Sequence, residues 1–262
     1  FYIMDNRPIG IFDSGVGGLT VAKEIIKTLP NENIVYFGDT ARVPYGAKSK
    51  DVVTKYSKQI VRFLLTKNVK AIIVACNTVS SNSLDALRRT FDIPFIGVVE
   101  PGVKSVLETT KNKRVGIIGT EATIRSGMYG RLIHDADSTI EVFSKPCPLF
   151  VPLAEEGWYD NDVARMTAEL YLDELISCGI DTLLLGCTHY PLYTKILKEE
   201  LPDTKIVNPG EVLAQSLKEI LDSSKERKGT TEIYLSDLEC NFIEVAKKIL
   251  NVDELEAKKC DM

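Results

Sequence analysis

The stretches AIIVACNT (residues 71–78) and TLLLGCTH (residues 182–189) decide the fold class of this chain. Each begins as a short aliphatic run, which is typical of a buried β-strand, and each run stops at a cysteine followed by small hydrogen-bonding residues. In parallel α/β sheets the carboxyl ends of the strands form the ligand crevice. Cys76 and Cys187 are therefore candidates to face one substrate from two sides.

A cysteine that closes an aliphatic strand is most often just a small buried apolar residue. The repetition favours a site here, because polar neighbours follow both cysteines. Asn77 and Thr78 follow the first cysteine, and Thr188 and His189 follow the second. Such groups at a strand exit need a polar partner or water. Two thiols with polar neighbours suggest proton transfer at a single carbon.

Strand and helix patterns alternate along the whole chain. This alternation predicts an α/β fold of two lobes, each a mostly parallel sheet flanked by helices, with the active site between them. Apolar runs predict strands at residues 9–12, 34–38, 71–75, 94–99, 114–119, 139–143, 182–186 and 205–208. Apolar residues at three- and four-residue spacing predict helices at residues 19–29, 50–67, 162–177 and 210–224.

The length of 262 residues is sufficient for two domains of ordinary size. Proline and glycine residues interrupt IPFIGVVEPG near the middle of the chain and KIVNPGEVL near its end. These two segments are possible crossovers of the chain between the lobes. We therefore expect a discontinuous first lobe of residues 1–97 plus 210–262, which carries Cys76. The second lobe is expected to be residues 98–209, which carry Cys187.

Composition excludes several classes of protein. A net charge of −5 gives no excess of basic residues that would favour nucleic-acid binding, and the longest apolar runs are too short to cross a bilayer. No secretory signal pattern opens the chain, so we expect a cytoplasmic protein in which the 6 cysteines stay reduced. With 2 histidines and no C-x-x-C pair, the sequence predicts no metal site.

A glycine-rich turn follows the first predicted strand. The strand runs into Asp13, Ser14 and GVGG (residues 15–18) before a helix, so backbone N–H groups are expected to face an anion such as a carboxylate. A dinucleotide site is the alternative interpretation. It is disfavoured because Thr20 stands in place of a glycine of that fingerprint and because Asp13 would repel a pyrophosphate.

Two further strand ends carry polar groups. The second predicted strand leads to Asp39 and then to PYG at residues 44–46, which is either a simple surface turn or backbone laid against a ligand. The fifth leads to Thr120 and Thr123, whose hydroxyls either face the crevice or merely cap the following helix.

Together these motifs resemble one family. GIFDSGVGGLTV, YFGDTARVPYG, ACNTVS, GTEATIRSGMY and GCTHYPL occur in this order within residues 10–192 and are similar to the motifs of bacterial glutamate racemases, in the cofactor-independent aspartate/glutamate racemase family. The resemblance implies interconversion of L-glutamate and D-glutamate by two cysteines, with no cofactor. It also implies a homodimer and a supply of D-glutamate for peptidoglycan.

The resemblance further implies roles for single residues. Cys76 would be the base for the D-enantiomer and Cys187 the base for the L-enantiomer. Asp13 and His189 would assist their respective thiols. Ten side chains or turns would hold the substrate carboxylates and ammonium: Asp13, Ser14, Tyr45, Gly46, Asn77, Thr78, Thr120, Thr123, Thr188 and His189.

A glutamate of VPLAEEG is also implied near Cys187, with Glu155 as the first choice and the adjacent Glu156 as the alternative. Two opposed bases suit the implied reaction, because inverting an α-carbon needs proton removal on one face and delivery on the other. A cysteine with a pKa of about 8.5 serves as thiol or thiolate near neutral pH when a helix dipole or a histidine assists it.

Other functions stay open at the level of the sequence. An aspartate or hydantoin racemase-like enzyme of the same superfamily would use the same paired cysteines on a substrate of different length or shape. A non-catalytic amino-acid binding protein would share the hydroxyl-rich strand ends, but it would not need two thiols.

Overall fold

The computed structural model describes residues 5–220, 228–238 and 240–261. These residues form two parallel β-sheets. The first contains β1 (Ile9–Asp13), β2 (Ile34–Gly38), β3 (Ala71–Val74), β4 (Phe95–Gly97), β9 (Thr231–Leu235) and β10 (Lys258–Lys259), in the order β10-β9-β2-β1-β3-β4. The second contains β5 (Arg114–Gly119), β6 (Glu141–Pro146), β7 (Thr182–Gly186) and β8 (Lys205–Val207), in the order β6-β5-β7-β8.

Helices follow most of the strands, as right-handed parallel connections require. They are α1 (Gly18–Thr28), α2 (Lys50–Thr66), α3 (Asn77–Asn82), α4 (Leu84–Thr90), α5 (Val99–Thr109), α6 (Glu121–Ser126), α7 (Met128–Ala136), α8 (Phe150–Glu155), α9 (Asp162–Ser177), α10 (Thr194–Glu200), α11 (Pro209–Ile220) and α12 (Cys240–Leu250). Local capping explains several helix starts. For example, the Asn161 side chain accepts a hydrogen bond from the Ala164 N–H at 2.9 Å.

Both faces of each sheet are covered by helices. Alternate residues of β1 point to opposite faces, so Ile9 and Ile11 pack with α1, α11 and α12, whereas Phe12 packs with α2, α3 and α4. In the second sheet, one face packs against α8, α9 and α10 and the other against α5 and α7. The predicted α/β class, with two mostly parallel sheets flanked by helices, is confirmed.

All eight predicted strands are present, with three notable changes of boundary. The fourth ends at Gly97 rather than at residue 99, because Val99 already begins α5. The sixth spans Glu141–Pro146 rather than residues 139–143. The third ends at Val74, one residue before the prediction.

The C-terminal strands β9 and β10 and the helix α12 were not predicted from the sequence. β9 begins with two exposed residues, Thr231 and Glu232, and β10 is a two-residue edge strand, so neither has the continuous apolar run of a buried strand. The predicted helix at residues 210–224 is present as α11, and its residues 221–224 lie outside the described residues.

Candidate active site

The carboxyl ends of strands from both sheets meet at one place. β1 ends at Asp13, Cys76 directly precedes α3 after β3, and Cys187, Thr188 and His189 follow β7. All five residues are buried. The Thr188 hydroxyl donates to Oδ2 of Asp13 at 3.2 Å, which links the two sheets directly. The strand ends that the sequence predicted to carry the site therefore contact one another across the two sheets.

Cys76 lies in surroundings that keep its sulfur protonated. Burial raises the pKa of the Cys76 thiol well above its usual range, and the negative charges of Asp13 and Cys187 act in the same direction. The backbone N–H groups of Val79 and Thr78, at the start of α3, oppose this shift only in part. Cys76 is therefore held in its neutral thiol form.

Cys187 lies beside a buried histidine. Its sulfur lies 3.7 Å from Nδ1 of His189, and Nε2 of His189 lies 2.6 Å from Oε1 of Glu155. Burial disfavours the charged imidazole, but the hydrogen bonds to Cys187 and Glu155 and the Glu155 charge hold the pKa of His189 well above its usual range. A protonated imidazole beside a cysteine stabilises its thiolate form.

Glu155 lies at the end of α8, and its contacts distinguish it from its neighbour. Besides His189, its Oε1 accepts from the Val16 N–H at 3.3 Å, and its backbone carbonyl accepts from Nδ2 of Asn241 at 2.5 Å. Glu156 is exposed to solvent. Of the two glutamates that the sequence left open, Glu155 is the one that lies in the crevice.

Carboxylates of the chain itself accept from three N–H groups of the glycine turn. Oδ2 of Asp13 accepts from the Gly15 N–H at 3.3 Å and from the Gly18 N–H at 2.8 Å, and the Val16 N–H donates to Glu155. The chain's own carboxylates therefore occupy these donors, because Asp13 directly precedes the turn. Burial raises the pKa of Asp13, while the His189 charge and the two N–H groups oppose the shift.

Thr78, two residues after Cys76, belongs to a cluster of hydroxyls. Thr78 Oγ1 lies 2.9 Å from Thr120 Oγ1 and 3.3 Å from Thr123 Oγ1. Thr120 Oγ1 also accepts from the Thr123 N–H at 3.2 Å and so caps α6, which is one of the two interpretations of these threonines. A Cβ atom added to Gly46 would collide with the Thr120 side chain, so the PYG turn also reaches this cluster.

The Tyr45 hydroxyl is engaged away from this cluster. It donates to the buried carboxylate of Asp39, which also accepts from Ser236 Oγ at 2.7 Å and from Nε of Arg42 at 2.9 Å. Burial and the Asp39 charge raise the pKa of Tyr45 well above its usual range. The Tyr45 hydroxyl is therefore already paired within the chain.

Three buried side chains that sequence reasoning missed also support the crevice. The Tyr36 hydroxyl donates to the Gly15 carbonyl at 2.7 Å, and the Thr20 hydroxyl donates to the Thr188 carbonyl at 2.9 Å. The Tyr129 hydroxyl donates to Oδ1 of Asn77. Each lies within a helix or strand rather than at a strand end, so no local signal pointed to it. Ser14 is buried beside them at the end of β1.

Two other features are absent from the described part of the chain. Within it, no group of three or more His, Cys, Asp and Glu side chains is placed to hold a metal ion. None of its helices combines the length and the apolar character needed to span a membrane.

Sequence comparison adds the family to this geometry. The family model described as Asp/Glu/Hydantoin racemase matches residues 9–217. The chain belongs to this family. It is 50% identical to a glutamate racemase of Geobacter metallireducens over 93% of each protein, and 47% identical to one of Sulfurihydrogenibium sp. over 97% of each. The resemblance seen in the motifs is confirmed, and the chain is an enzyme of the isomerase class.

Structural comparison agrees with this assignment. The crystal structure of glutamate racemase from Francisella tularensis subsp. tularensis, in complex with D-glutamate, has a TM-score of 0.90 at 38% identity. The alignment covers 98% of this racemase chain and 98% of that protein. The racemase fold and its two-sheet arrangement are therefore shared over nearly the whole length.

Proposed function

We propose that this racemase interconverts L-glutamate and D-glutamate by a two-base proton transfer between Cys76 and Cys187, without a cofactor. The observation that carries the proposal is a pair of buried cysteines at strand ends of the two sheets, one of which lies 3.7 Å from Nδ1 of His189. Cys76 is held as a thiol, whereas Cys187 lies beside a histidine that stays protonated. One sulfur is prepared to give a proton and the other to take one.

Proton transfer then follows from this starting state. The Cys187 thiolate removes the α-proton of L-glutamate, and the electron pair of the C–H bond moves onto the α-carbon and its carboxylate. The S–H group of Cys76 delivers its proton to the opposite face. D-Glutamate leaves with Cys187 as thiol and Cys76 as thiolate, and the reverse reaction runs from that state. His189 and Asp13 assist Cys187 and Cys76, respectively.

The transient carbanion needs hydrogen-bond donors on the substrate carboxylate rather than an electron-sink cofactor. The crevice supplies hydroxyl and amide groups that are buried and therefore act in a low-dielectric environment. We assign substrate binding to Ser14, Asn77, Thr78, Thr120, Thr123 and Thr188, to Asp13 and His189, and to the backbone of Tyr45 and Gly46.

Glutamate is proposed as the substrate because relatives named glutamate racemases match the chain at up to 50% identity over most of its length. The test is circular dichroism at a fixed wavelength with L-glutamate, with L-aspartate and a hydantoin in parallel. Loss of the L-glutamate signal supports the proposal. Loss only with another substrate selects a different racemase, and binding of glutamate without loss of signal indicates a binding protein.

Cofactor independence leads to the first prediction. The purified protein, after exhaustive dialysis, is expected to racemise glutamate at an unchanged rate in the presence of hydroxylamine, which traps the carbonyl group of pyridoxal phosphate. The rate is measured by circular dichroism before and after addition of the reagent. Activity that disappears with hydroxylamine and returns with pyridoxal phosphate would overturn the mechanism.

Gly17 leads to the second prediction. A Cβ atom at this position would lie 2.5 Å from Nδ1 of His189 and 2.6 Å from Oγ1 of Thr188. Gly17→Ala is therefore expected to push His189 away from Cys187 and to lower kcat by about 10²-fold, the lower range for loss of general acid–base assistance. Gly130→Ala is the control, since its Cβ would have only one neighbour, at 4.0 Å. Equal kcat values for the two variants would refute the prediction.

The wider biological assignment rests on the same resemblance. We propose that residues 1–97 with 210–262 and residues 98–209 form the two lobes, and that the protein is a cytoplasmic homodimer that supplies D-glutamate for peptidoglycan. Light scattering of the purified protein measures the oligomeric state. Rescue of a bacterial strain that requires D-glutamate tests the cellular role, and rescue that survives loss of both cysteines would contradict it.

A further inference from the structure

Tyr129 makes a buried contact between the helices of the two sheets. It lies in α7, which packs on the second sheet, and its hydroxyl donates to Oδ1 of Asn77 at 2.5 Å. Asn77 begins α3, directly after Cys76 and the first sheet's β3. Both side chains are 3% exposed. The hydroxyl therefore reaches from one half of the crevice to an amide that adjoins a proposed base in the other half.

This contact determines the orientation of the Asn77 side-chain amide. Burial raises the pKa of Tyr129, so its hydroxyl keeps its proton and remains a donor. Among the described residues Asn77 is the only hydrogen-bond partner of that hydroxyl, and a buried O–H group needs an acceptor. The carbonyl end of the amide must therefore face Tyr129. The NH₂ end must point the other way.

The NH₂ group of Asn77 has no acceptor among the described residues. Among the described residues, the only fully buried side-chain nitrogen or oxygen atom without a hydrogen-bond partner is Nη2 of Arg42. Nδ2 of Asn77, which has no partner, is therefore not fully buried. Two N–H donors thus face accessible space beside Cys76. A carboxylate accepts from such donors, whereas a substrate ammonium has only donors and finds no partner there.

We infer that Tyr129 is a positioning residue that holds the Asn77 amide with its NH₂ group toward the α-carboxylate of the substrate. The inference rests on the proposed racemase function. Asn77 adjoins Cys76, and the α-carboxylate is bonded to the carbon that Cys76 protonates, so this carboxylate is the one within reach. Charge grows on it in the transition state, where a fixed donor is most effective.

Tyr129→Phe tests the inference, because it removes the hydroxyl but keeps the ring. The Asn77 amide is then free to turn its carbonyl toward the carboxylate. We expect kcat/KM for glutamate to fall by roughly 10-fold, equally in both directions, with a larger change in kcat than in KM. Tyr193→Phe is the matched control: its hydroxyl donates to the Phe150 carbonyl at 2.7 Å in the second half, and we expect near-normal activity.

A double variant separates positioning from a merely structural role. If Tyr129 acts through Asn77, then Tyr129→Phe has no further effect once Asn77→Ala is present. Both kcat/KM and the Kd of L-glutamate are measured for the two single variants and the double variant. An additional loss in the double variant overturns the inference, as does a Tyr129→Phe variant that matches Tyr193→Phe.

Asn77→Asp provides a second test that does not depend on the folding of Tyr129→Phe. The aspartate keeps an acceptor for Tyr129 but replaces the two N–H donors with an oxygen. We expect the Kd of L-glutamate to rise at least as far as in Asn77→Ala, and a Kd equal to that of the wild type overturns the inference. If the wild type binds glutamate without racemising it, the proposed function fails, but the Kd comparisons still decide the role of Tyr129.

Discussion

Cys76→Ala and Cys187→Ala are each expected to lower the rate of glutamate racemisation by about 10⁴-fold or more, beyond the usual range for loss of one general acid or base. Either change leaves one face of the α-carbon without a proton donor or acceptor, so inversion cannot be completed. Glutamate binding should persist in both variants, because the donors for its carboxylates lie on other residues. Racemisation is followed by circular dichroism and binding by calorimetry.

Cys178→Ala is the control for loss of a thiol as such, since Cys178 is partly exposed, directly follows α9 and is not among the proposed site residues. The wild-type protein in D₂O provides an independent measurement by early-time proton NMR. With two bases, the product enantiomer carries solvent deuterium at the α-carbon while recovered substrate keeps its protium. Substantial protium in the product, or near-normal activity after loss of either cysteine, rules out the two-thiol mechanism.

His189→Asn and Asp13→Asn are expected to have the next largest effects, about 10²-fold or more on kcat. The two residues are proposed to assist different thiols, so the two variants should show opposite bias between the L-to-D and D-to-L directions. Because the equilibrium constant between enantiomers is one, kcat/KM must stay equal in both directions for every variant. The bias is therefore measured in the separate kcat and KM values, and equal changes in both directions for both variants contradict separate roles.

Glu155→Gln tests the assistance that His189 gives to Cys187, through the pH dependence of kcat. In the wild type, the Glu155 charge and hydrogen bond help to hold the pKa of His189 well above its usual range, so the imidazolium persists as the pH rises. Without that charge the pKa of His189 falls, and the imidazolium is lost at lower pH. The alkaline limb of the kcat profile should therefore move to lower pH, whereas Glu156→Gln should leave the profile unchanged.

Local sequence patterns predicted much of the fold and of the candidate site. The aliphatic runs at residues 71–75 and 182–186 predicted buried parallel strands, because both faces of such strands are covered by helices. Since parallel strands of one sheet share a carboxyl edge, Asp13 and Cys76 lie at the same edge of the first sheet. These conclusions needed only periodicity, strand direction and the residue that follows each strand.

Tertiary structure alone decided the features that depend on how the two sheets meet. Glu155 and Glu156 are neighbours in the chain, and only the orientation at the end of α8 brings the first to His189. The N–H groups of the glycine turn were available to an anion in the sequence, but Oδ2 of Asp13 accepts two of them. Contacts between residues far apart in the chain leave no mark on local periodicity, because they arise from packing between whole elements. The bond between Tyr129 and Asn77, 52 residues apart, is of this kind.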